Sequence, residues 1–371
     1  MRVLHFYKTY KPDTMGGIEQ VIGEICSGSA SRGVASDVLT VSRNTSTVDL
    51  GDHMHYRARL DFKVASSAFS LSALSRLKEL SKHADLIHYH FPWPFMDMAH
   101  FLTRLNKPTV VTYHSDIVRQ KTLLHFYRPL MMRFLGSVTR IVATSPQYAK
   151  SSVVLQRFAD KVEVIPFGLN TRAYPPATEA RLAEWRTRVG PKFFLFVGML
   201  RYYKGLHVLL DALNGSEYTV VILGGGPLEN ELRSQAATLG LRNVHFVGAL
   251  PDEDKIALLT LCHGLLFPSH LRSEAFGISL LEAAMFGKPM VSCEIGTGTS
   301  YVNVANETGL VVPPGDPTAF RNAIDQIWHD EALAVRFGAA AQQRFRKLFT
   351  AEKMADSYVD LYKRIVNEAP R

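Results

Sequence analysis

Short apolar runs and longer stretches of helical periodicity alternate along nearly the whole chain. Val3–Tyr7, Ser36–Val41, Leu86–His90, Thr109–Tyr113, Arg140–Thr144 and Val162–Pro166 are brief and rich in β-branched or aromatic residues. Between them, Gly17–Arg32, Leu71–His83, Met96–Leu105, Leu123–Leu135 and Pro146–Arg157 carry helical spacing. Such alternation predicts a parallel sheet covered by helices on both faces. A turn-rich segment, Asn170–Pro176, interrupts the pattern. Strands are then expected at Phe193–Gly198, Tyr218–Leu223, Val244–Val247, Gly264–Phe267 and Met290–Ser292, with helices at Gly205–Ala212, Leu228–Leu239, Asp254–Leu261 and Ile278–Phe286. Helices are also expected at Thr318–Trp328, Leu333–Arg346 and Ala351–Asn367, the last with Thr350 as its N-cap. A chain of 371 residues exceeds one ordinary hydrophobic core. The reading is two doubly wound α/β domains, residues 1–168 and 169–350, whose sheets face each other across a cleft. In open α/β sheets, ligands bind beyond the carboxyl ends of the strands.

Several classes are excluded. The composition, 47% hydrophobic and 20% charged, is that of a globular chain without low-complexity tracts. The opening Met1–Lys8 is interrupted too soon for a signal peptide, and no apolar run reaches the length of a membrane span. Cys26, Cys262 and Cys293 are far apart, as expected of buried reduced thiols in a cytoplasmic protein, not of a disulfide framework or zinc site. The net charge of +8 is uneven. Residues 1–170 hold 21 Lys/Arg against 13 Asp/Glu, and the remainder holds 21 of each. This bias suits anionic partners such as membrane headgroups or phosphorylated substrates, or is simply solvated surface. No nucleic-acid-binding motif accompanies it, so nucleic acid is not an expected partner.

The chemistry-bearing residues cluster at expected strand ends. Met15-Gly16-Gly17-Ile18-Glu19 lies between strand and helix, where glycine lets backbone amides approach an anion or merely suits the turn. Gly224-Gly225-Gly226 follows another strand and lacks dinucleotide spacing, yet leaves room for a nucleotide. In Arg201-Tyr202-Tyr203-Lys204-Gly205, two cations at a strand end could neutralise a departing diphosphate, or be a solvated loop. The fullest signal is Pro268 to Ala283. A polar loop with Glu274 leads into a helix near Phe276, so the amides of Phe276, Gly277 and Ile278 would face a diphosphate. Glu282, two turns in among apolar neighbours, needs partners: ribose hydroxyls or a buried basic side chain. Tyr113-His114-Ser115-Asp116 ends another strand, and His88 and His90 end the one before it. His88, His90 and Asp116 are candidates for the acceptor side. Asp252-Glu253-Asp254 resembles a D-x-D metal motif, but its place before a helix favours acidic capping.

The spacing Glu274-x7-Glu282, followed by Gly287-Lys288-Pro289 and Gly309–Asp316, resembles the retaining glycosyltransferases of family 4, which have the GT-B fold. The likeness covers nearly the full length. The Gly16–Gln20 and Arg201–Gly205 blocks are most similar to bacterial mannosyl- and D-rhamnosyltransferases of lipopolysaccharide O-antigen assembly. The resemblance implies donor contacts from Gly16 and Gly17, and a sugar contact from His114 that assists catalysis. It implies a diphosphate contact from Lys204, a sugar contact from Glu274, backbone amides from Phe276, Gly277 and Ile278, and a ribose contact from Glu282. It also implies that the helix in residues 351–371 packs back on the first domain. One departure stands out: family members usually carry Arg where this chain has Met199, with Arg201 two residues later.

The implied reaction is hexose transfer from a GDP-sugar, mannose or D-rhamnose, to a lipid-diphosphate-linked saccharide with anomeric retention. No metal or other cofactor is expected, since the nucleotide-sugar is a substrate and cations of the chain neutralise its leaving group. The helical segment Phe126–Leu135 mixes apolar and Arg residues, as either a core helix or one that rests on headgroups. The expectation is an enzyme peripheral to the inner face of the cytoplasmic membrane. Alternatives are a UDP-sugar transferase with another acceptor, a non-catalytic nucleotide-sugar-binding protein on the same scaffold, or a sugar-nucleotide epimerase or phosphorylase of similar shape.

Overall fold

The structure, a computed structural model, describes residues 1–14, 16–64, 67–118 and 121–368, with the side chains of residues 121 and 122 left aside. Met15 of the glycine motif and the last three residues of the chain lie outside the described residues. The chain divides into two compact units: Met1–Gly168 with Ala351–Arg371, and Leu169–Thr350.

The first unit holds strands β1 (Arg2–Phe6), β2 (Ala35–Ser42), β3 (Thr47–Asp49), β4 (His53–Arg59), β5 (Phe62–Val64), β6 (Ser67–Phe69), β7 (Leu86–Phe91), β8 (Thr109–Tyr113), β9 (Arg140–Ala143) and β10 (Val162–Val164). Eight of them form one sheet in the order β10-β9-β8-β7-β1-β2-β4-β3, parallel except for β3; β5 and β6 pair as a separate hairpin. Its helices are α1 (Gly17–Ala30), α2 (Leu71–Ser81), α3 (Pro94–Thr103), α4 (Lys121–Ser137), α5 (Pro146–Ser151) and α6 (Val153–Gln156). Local chemistry sets several of the starts. Ser70, Ser145 and Ser152 accept hydrogen bonds from the first turns of α2, α5 and α6. The central strands β1, β7 and β8 are buried almost throughout, as two-faced parallel strands must be.

The C-terminal helix, Ala351–Glu368, belongs to this unit. Met354, Tyr358, Leu361, Tyr362 and Ile365 form its buried stripe. Burial of each apolar side chain of that size contributes about 1.5–3 kcal/mol. The helix lies so close to α1 that a Cβ on Gly28 would stand 2.4 Å from the Cβ of Ala355. Arg32 and Asp356 pair at the edge of that contact at 2.5 Å.

The second unit holds α7 (Glu179–Val189), β11 (Phe194–Val197), α8 (Leu206–Ala212), β12 (Val220–Leu223), α9 (Glu229–Thr238), β13 (Val244–Gly248), α10 (Asp252–Leu261), β14 (Gly264–Phe267), α11 (Ile278–Met285), β15 (Met290–Cys293), α12 (Thr299–Val302), β16 (Gly309–Val312), α13 (Pro317–His329) and α14 (Glu331–Leu348). Its six parallel strands run β13-β12-β11-β14-β15-β16. Thr178, Asp316 and Asp330 cap α7, α13 and α14 with their side chains.

The elements that the sequence reading did not find have physical reasons. β4 alternates inward His53 and His55 with outward residues, so its buried face looks polar; Tyr10 and Thr40 each bond the Nε2 of one of these histidines. Helix α7 has only Leu182, Trp185 and Val189 as its buried stripe, amid Arg and Glu. It follows the turn-rich segment Asn170–Pro176. Strand β16 begins with a glycine, Gly309, whose added Cβ would meet the Met290 carbonyl oxygen at 2.0 Å.

Candidate active site

In each of the two large sheets the order of the parallel strands reverses at one place. In the second unit β11, β12 and β13 run one way and β14, β15 and β16 the other, so the switch lies between β11 and β14. At such a point the two following loops diverge and leave a crevice. The loop after β11 carries Lys204 in a 3₁₀ turn, Tyr202–Lys204, and the loop after β14 carries Glu274. Their charged ends meet at 2.5 Å, and both side chains are mostly buried, at 11% and 12% exposure. Burial opposes the Lys204 charge, but the Glu274 carboxylate outweighs it and holds the ammonium above its ordinary basicity. Ser269 donates to Glu274 at 3.3 Å, and Thr297 donates to the Glu274 carbonyl at 2.8 Å.

The two loops are held together through glycine. Gly205 has φ +70°, and a Cβ there would stand 2.0 Å from the Pro268 carbonyl oxygen. The His270 amide donates to the Tyr203 carbonyl at 3.0 Å. Gly277, at φ +90°, precedes α11 and puts the amides of its first turn at the head of that helix. Helix starts leave such amides without intrahelical partners, ready for an anion.

Glu282 is buried in α11 and accepts from the Tyr174 hydroxyl at 2.8 Å; Lys255 approaches the same oxygen at 3.1 Å. Burial opposes the charge of Lys255, which Glu282 and Asp252 more than restore. Neither Tyr174 nor Lys255 was singled out from sequence. Lys255 stands one turn beyond Asp252, on the helix whose acidic start was read as capping. Asp252, Glu253 and Asp254 do occupy the first turn of α10, and Asp254 accepts from Trp185 Nε1 at 2.9 Å.

In the first unit the order reverses between β1 and β7. His5 of β1 is in register with His88 of β7, and His90 lies two residues on, on the same face. His114 follows β8, next to β7. His5 Nδ1 stands 3.1 Å from His90 Nε2, and His90 Nδ1 stands 3.0 Å from His114 Nε2. His88 bonds Tyr362 and Thr112, both at 2.7 Å, and Thr112 bonds Tyr358 at 2.8 Å. The C-terminal helix is thereby tied to the heart of this sheet. Burial depresses the basicity of the set, with His5 and His114 at about 3 and His88 and His90 well below the usual histidine range. His5, His88 and His90 bring a nitrogen each within 4.8 Å of one another. Ligands of one tetrahedral zinc ion at ~2.1 Å would be about 3.4 Å apart, and both His88 nitrogens are already engaged. Gly16 caps α1 without a side chain, and a Cβ there would crowd the Glu19 carboxylate at 2.6 Å; Glu19 accepts from Thr9 at 2.7 Å. Gly17 is the first residue of α1.

Two family profiles match in series. Glycosyltransferase Family 4 covers residues 15–173, and Glycosyl transferases group 1 covers residues 178–344. D-rhamnosyltransferase WbpZ of Pseudomonas aeruginosa is 59% identical over 353 residues, 95% of this chain and 93% of the relative. The chain belongs to glycosyltransferase family 4. O-antigen chain mannosyltransferase C of Escherichia coli is 53% identical, with 98% of both chains covered. Among solved structures, sucrose-phosphate synthase from Thermosynechococcus elongatus superposes with a TM-score of 0.83 at 21% identity, covering 99% of each chain. The fold of this family 4 glycosyltransferase is therefore GT-B, built of two Rossmann-like domains.

Within the glycosyltransferase, the structure brings Lys204, Glu274, Phe276, Gly277 and Ile278 to one strand-end site. It corrects the expectation for His88 and His90. His88 and His90 do not line an acceptor surface: both are fully buried, and each has both ring nitrogens bonded within the unit. Asp116 accepts from Tyr113 at 3.0 Å and Ser152 at 2.8 Å, which ties its carboxylate to local structure. Gly224 has φ +134°, and a Cβ on it would reach 2.0 Å from the Gly198 carbonyl oxygen, so loop packing already requires a glycine there. At Gly225 a Cβ would make only an ordinary contact with Glu229. Arg201 is exposed, with Nε 2.9 Å from Met199 Sδ. The missed His5 had a legible signal: a histidine in the first strand, facing a His-x-His pair of a neighbouring parallel strand.

Proposed function

We propose that this glycosyltransferase moves a hexose, mannose or D-rhamnose, from a GDP-sugar to a lipid-diphosphate-linked saccharide in O-antigen synthesis, with retention at the anomeric carbon. The observation that carries the reading is the buried Lys204–Glu274 pair at a topological switch point, in a chain 59% and 53% identical to a D-rhamnosyltransferase and an O-antigen mannosyltransferase. Lys204 supplies positive charge to the diphosphate as the glycosidic bond breaks, and the first amides of α11 add theirs. Arg201, on the same loop, turns toward that charge. Glu274 accepts from the sugar hydroxyls, Glu282 from the ribose, and His114 contacts the transferred sugar. Gly16 and Gly17 leave room for the donor. The reaction needs no divalent metal or other cofactor, since these groups neutralise the leaving diphosphate.

The enzyme works at the inner face of the cytoplasmic membrane without crossing it. Among the described residues no helix is long and apolar enough to span a bilayer. Helix α4 exposes Leu123 and Phe126, the latter 77% exposed, beside Arg128 and Arg133. Helix α3, packed on α4, exposes Met98 and Leu102. Apolar side chains beside arginines suit shallow insertion among anionic headgroups.

The test is a panel of GDP-, UDP- and ADP-sugars read by thermal shift and by product analysis on a lipid-linked acceptor. Donor at about 100 times its Kd adds about 2.7 kcal/mol of stability. Stabilisation and transfer with GDP-mannose or GDP-D-rhamnose support the reading. A response confined to UDP-sugars overturns the donor assignment, and binding without transfer overturns the enzymatic one.

A further inference from the structure

We propose that His5 and His90 are positioning residues for His114. Through one chain of imidazoles they fix it as the tautomer with its proton on Nδ1. The inference rests on the reading that His114 contacts the transferred sugar, and it says what His114 offers there: a hydrogen-bond donor, not a base.

The three rings come from adjacent strands at the switch point of the first unit. They form a linear series, His5 Nδ1 to His90 Nε2 at 3.1 Å and His90 Nδ1 to His114 Nε2 at 3.0 Å. His90 is stacked between the other two, with centroids 5.4 Å from His5 and 5.2 Å from His114. All three are deeply buried, and burial keeps them neutral. A neutral imidazole has one N–H and one bare nitrogen. Each nitrogen-to-nitrogen contact needs one of each, because two N–H groups or two lone pairs repel. Only two arrangements of three protons satisfy both contacts. Either every ring is protonated on Nδ1, or every ring is protonated on Nε2.

The ends of the series decide between them. His5 Nε2 and His114 Nδ1 are both buried and have no hydrogen-bond partner. Protonation of every ring on Nε2 would strand an N–H at His5, which is wholly inaccessible within the sheet. Protonation on Nδ1 leaves a bare nitrogen there and carries the N–H to His114 Nδ1, which is also buried in the free chain but follows the carboxyl end of β8, where a bound sugar would be its acceptor. A donor sealed from any acceptor loses its hydration with no return. Besides His90, the described groups near His114 include two rings and a lysine. The rings of Tyr7 and Phe167 have centroids 6.4 and 5.6 Å away, and neither residue bonds His114 Nδ1. The lysine is Lys8, whose charge helps depress the basicity of His114 and so favours a bare nitrogen. That ammonium rides on a four-carbon arm that can turn aside, whereas the surroundings of His5 cannot supply an acceptor. His88 stays outside the series, since Thr112 and Tyr362 hold both of its nitrogens.

A His114 so fixed can donate to a hydroxyl or ring oxygen of the sugar and has no free lone pair with which to take a proton. The decisive measurement is nitrogen NMR of the full chain, ¹⁵N-labelled in histidine, near neutral pH, with the GDP-sugar that the thermal-shift panel selects bound, and with His114 assigned from the spectrum of His114→Gln. The expected result is protonation on Nδ1 at His5, His90 and His114 alike. Protonation of His114 on Nε2, or on both nitrogens, overturns the proposal. Two variants probe the coupling. His90→Leu is expected to leave His114 in a mixture of tautomers and to lower kcat with little change in donor KM. His5→Asp, which demands a proton from His90 Nε2, is expected to reverse the tautomer of His114. An unchanged His114 spectrum in folded forms of both variants likewise overturns the relay. If the wild-type rings are all protonated on Nδ1 but His114→Ala transfers at full rate, the relay stands and the reading of His114 as a sugar contact falls.

Discussion

The Lys204 ammonium and the Glu274 carboxylate lie 2.5 Å apart, each on the loop that follows one of the two strands flanking the order reversal in the second sheet. Neither charge is well hydrated, so each is the other's main compensation. A donor diphosphate at this site would compete with Glu274 for the lysine. Donor sugar hydroxyls would then compete with the lysine for Glu274. In the proposed reading the pair would stand in for the ligand's charges until a donor arrives.

The first prediction concerns stability without donor. Removing one member of a largely buried ion pair costs about 3–5 kcal/mol, because the survivor is left unpaired. Lys204→Met and Glu274→Gln should each fall in that range, less whatever the remaining exposure of these side chains restores. The double variant should lose clearly less than the two losses added together. Urea denaturation of all four proteins measures this, and strictly additive losses would show that the two groups are not coupled.

The second concerns transfer. Loss of a preorganised electrostatic contact to developing charge typically lowers kcat by about 10²–10³. Lys204→Met should show a loss of that order at saturating donor, under conditions where the variant is folded. Full transfer by folded Lys204→Met would remove lysine from the leaving-group role.

The third concerns the loop junction. Gly205→Ala places a methyl 2.0 Å from the Pro268 carbonyl oxygen at a backbone angle, φ +70°, that side chains avoid. Backbone must move, and Lys204 is the adjacent residue. The variant should lose at least about 1–3 kcal/mol of stability and most of its transfer activity. Gly225→Ala, where the added methyl makes an ordinary contact, should stay near wild-type stability. Equal melting temperatures for Gly205→Ala and wild type would contradict the crowding.

The alternation of strands and helices was legible because both sheets are parallel and buried on two faces, so β1, β7, β8, β11, β12 and β14 read as near-continuous apolar runs. Lys204 and Glu274 were legible as strand-end residues. Their pairing was not, because it depends on which strands become neighbours. Lys255 reaches Glu282 from a different helix, 27 positions earlier, and nothing local to either announces it. His88 and His90 were misplaced for a related reason. A histidine at a strand end suggests a ligand, but here Tyr358 and Tyr362 arrive from the far end of the chain to complete a buried network. Strand β4 was hidden because its inward histidines find partners only after folding.

The fourth prediction concerns the membrane. Phe126→Glu puts a charge where a 77% exposed ring stands on α4, at little cost to the core. Flotation with anionic liposomes should fall several-fold, and Arg133→Glu should add to the loss, most visibly at low salt. Wild-type protein that fails to float with anionic liposomes even at low salt would sink the proposed attachment.

The fifth concerns acid. Burial holds His5 and His114 at about 3 in the folded chain, against 6.5 for an unconstrained histidine. The unfolded chain therefore binds protons that the folded chain refuses. Stability is complete above about 6.5 and drains as the pH falls toward 3. Near pH 5 each such ring should cost about 2 kcal/mol relative to neutral pH, a loss that does not depend on whether the folded value is 3 or 4. Most carboxylates are still ionised at that pH, so the histidines dominate the change. Urea midpoints at pH 7.5 and 5.0 measure the effect. In His114→Gln the loss of stability between pH 7.5 and 5.0 should shrink by about 2 kcal/mol; a loss equal to that of wild type would mean that His114 takes up its proton in the folded enzyme as readily as in the unfolded chain.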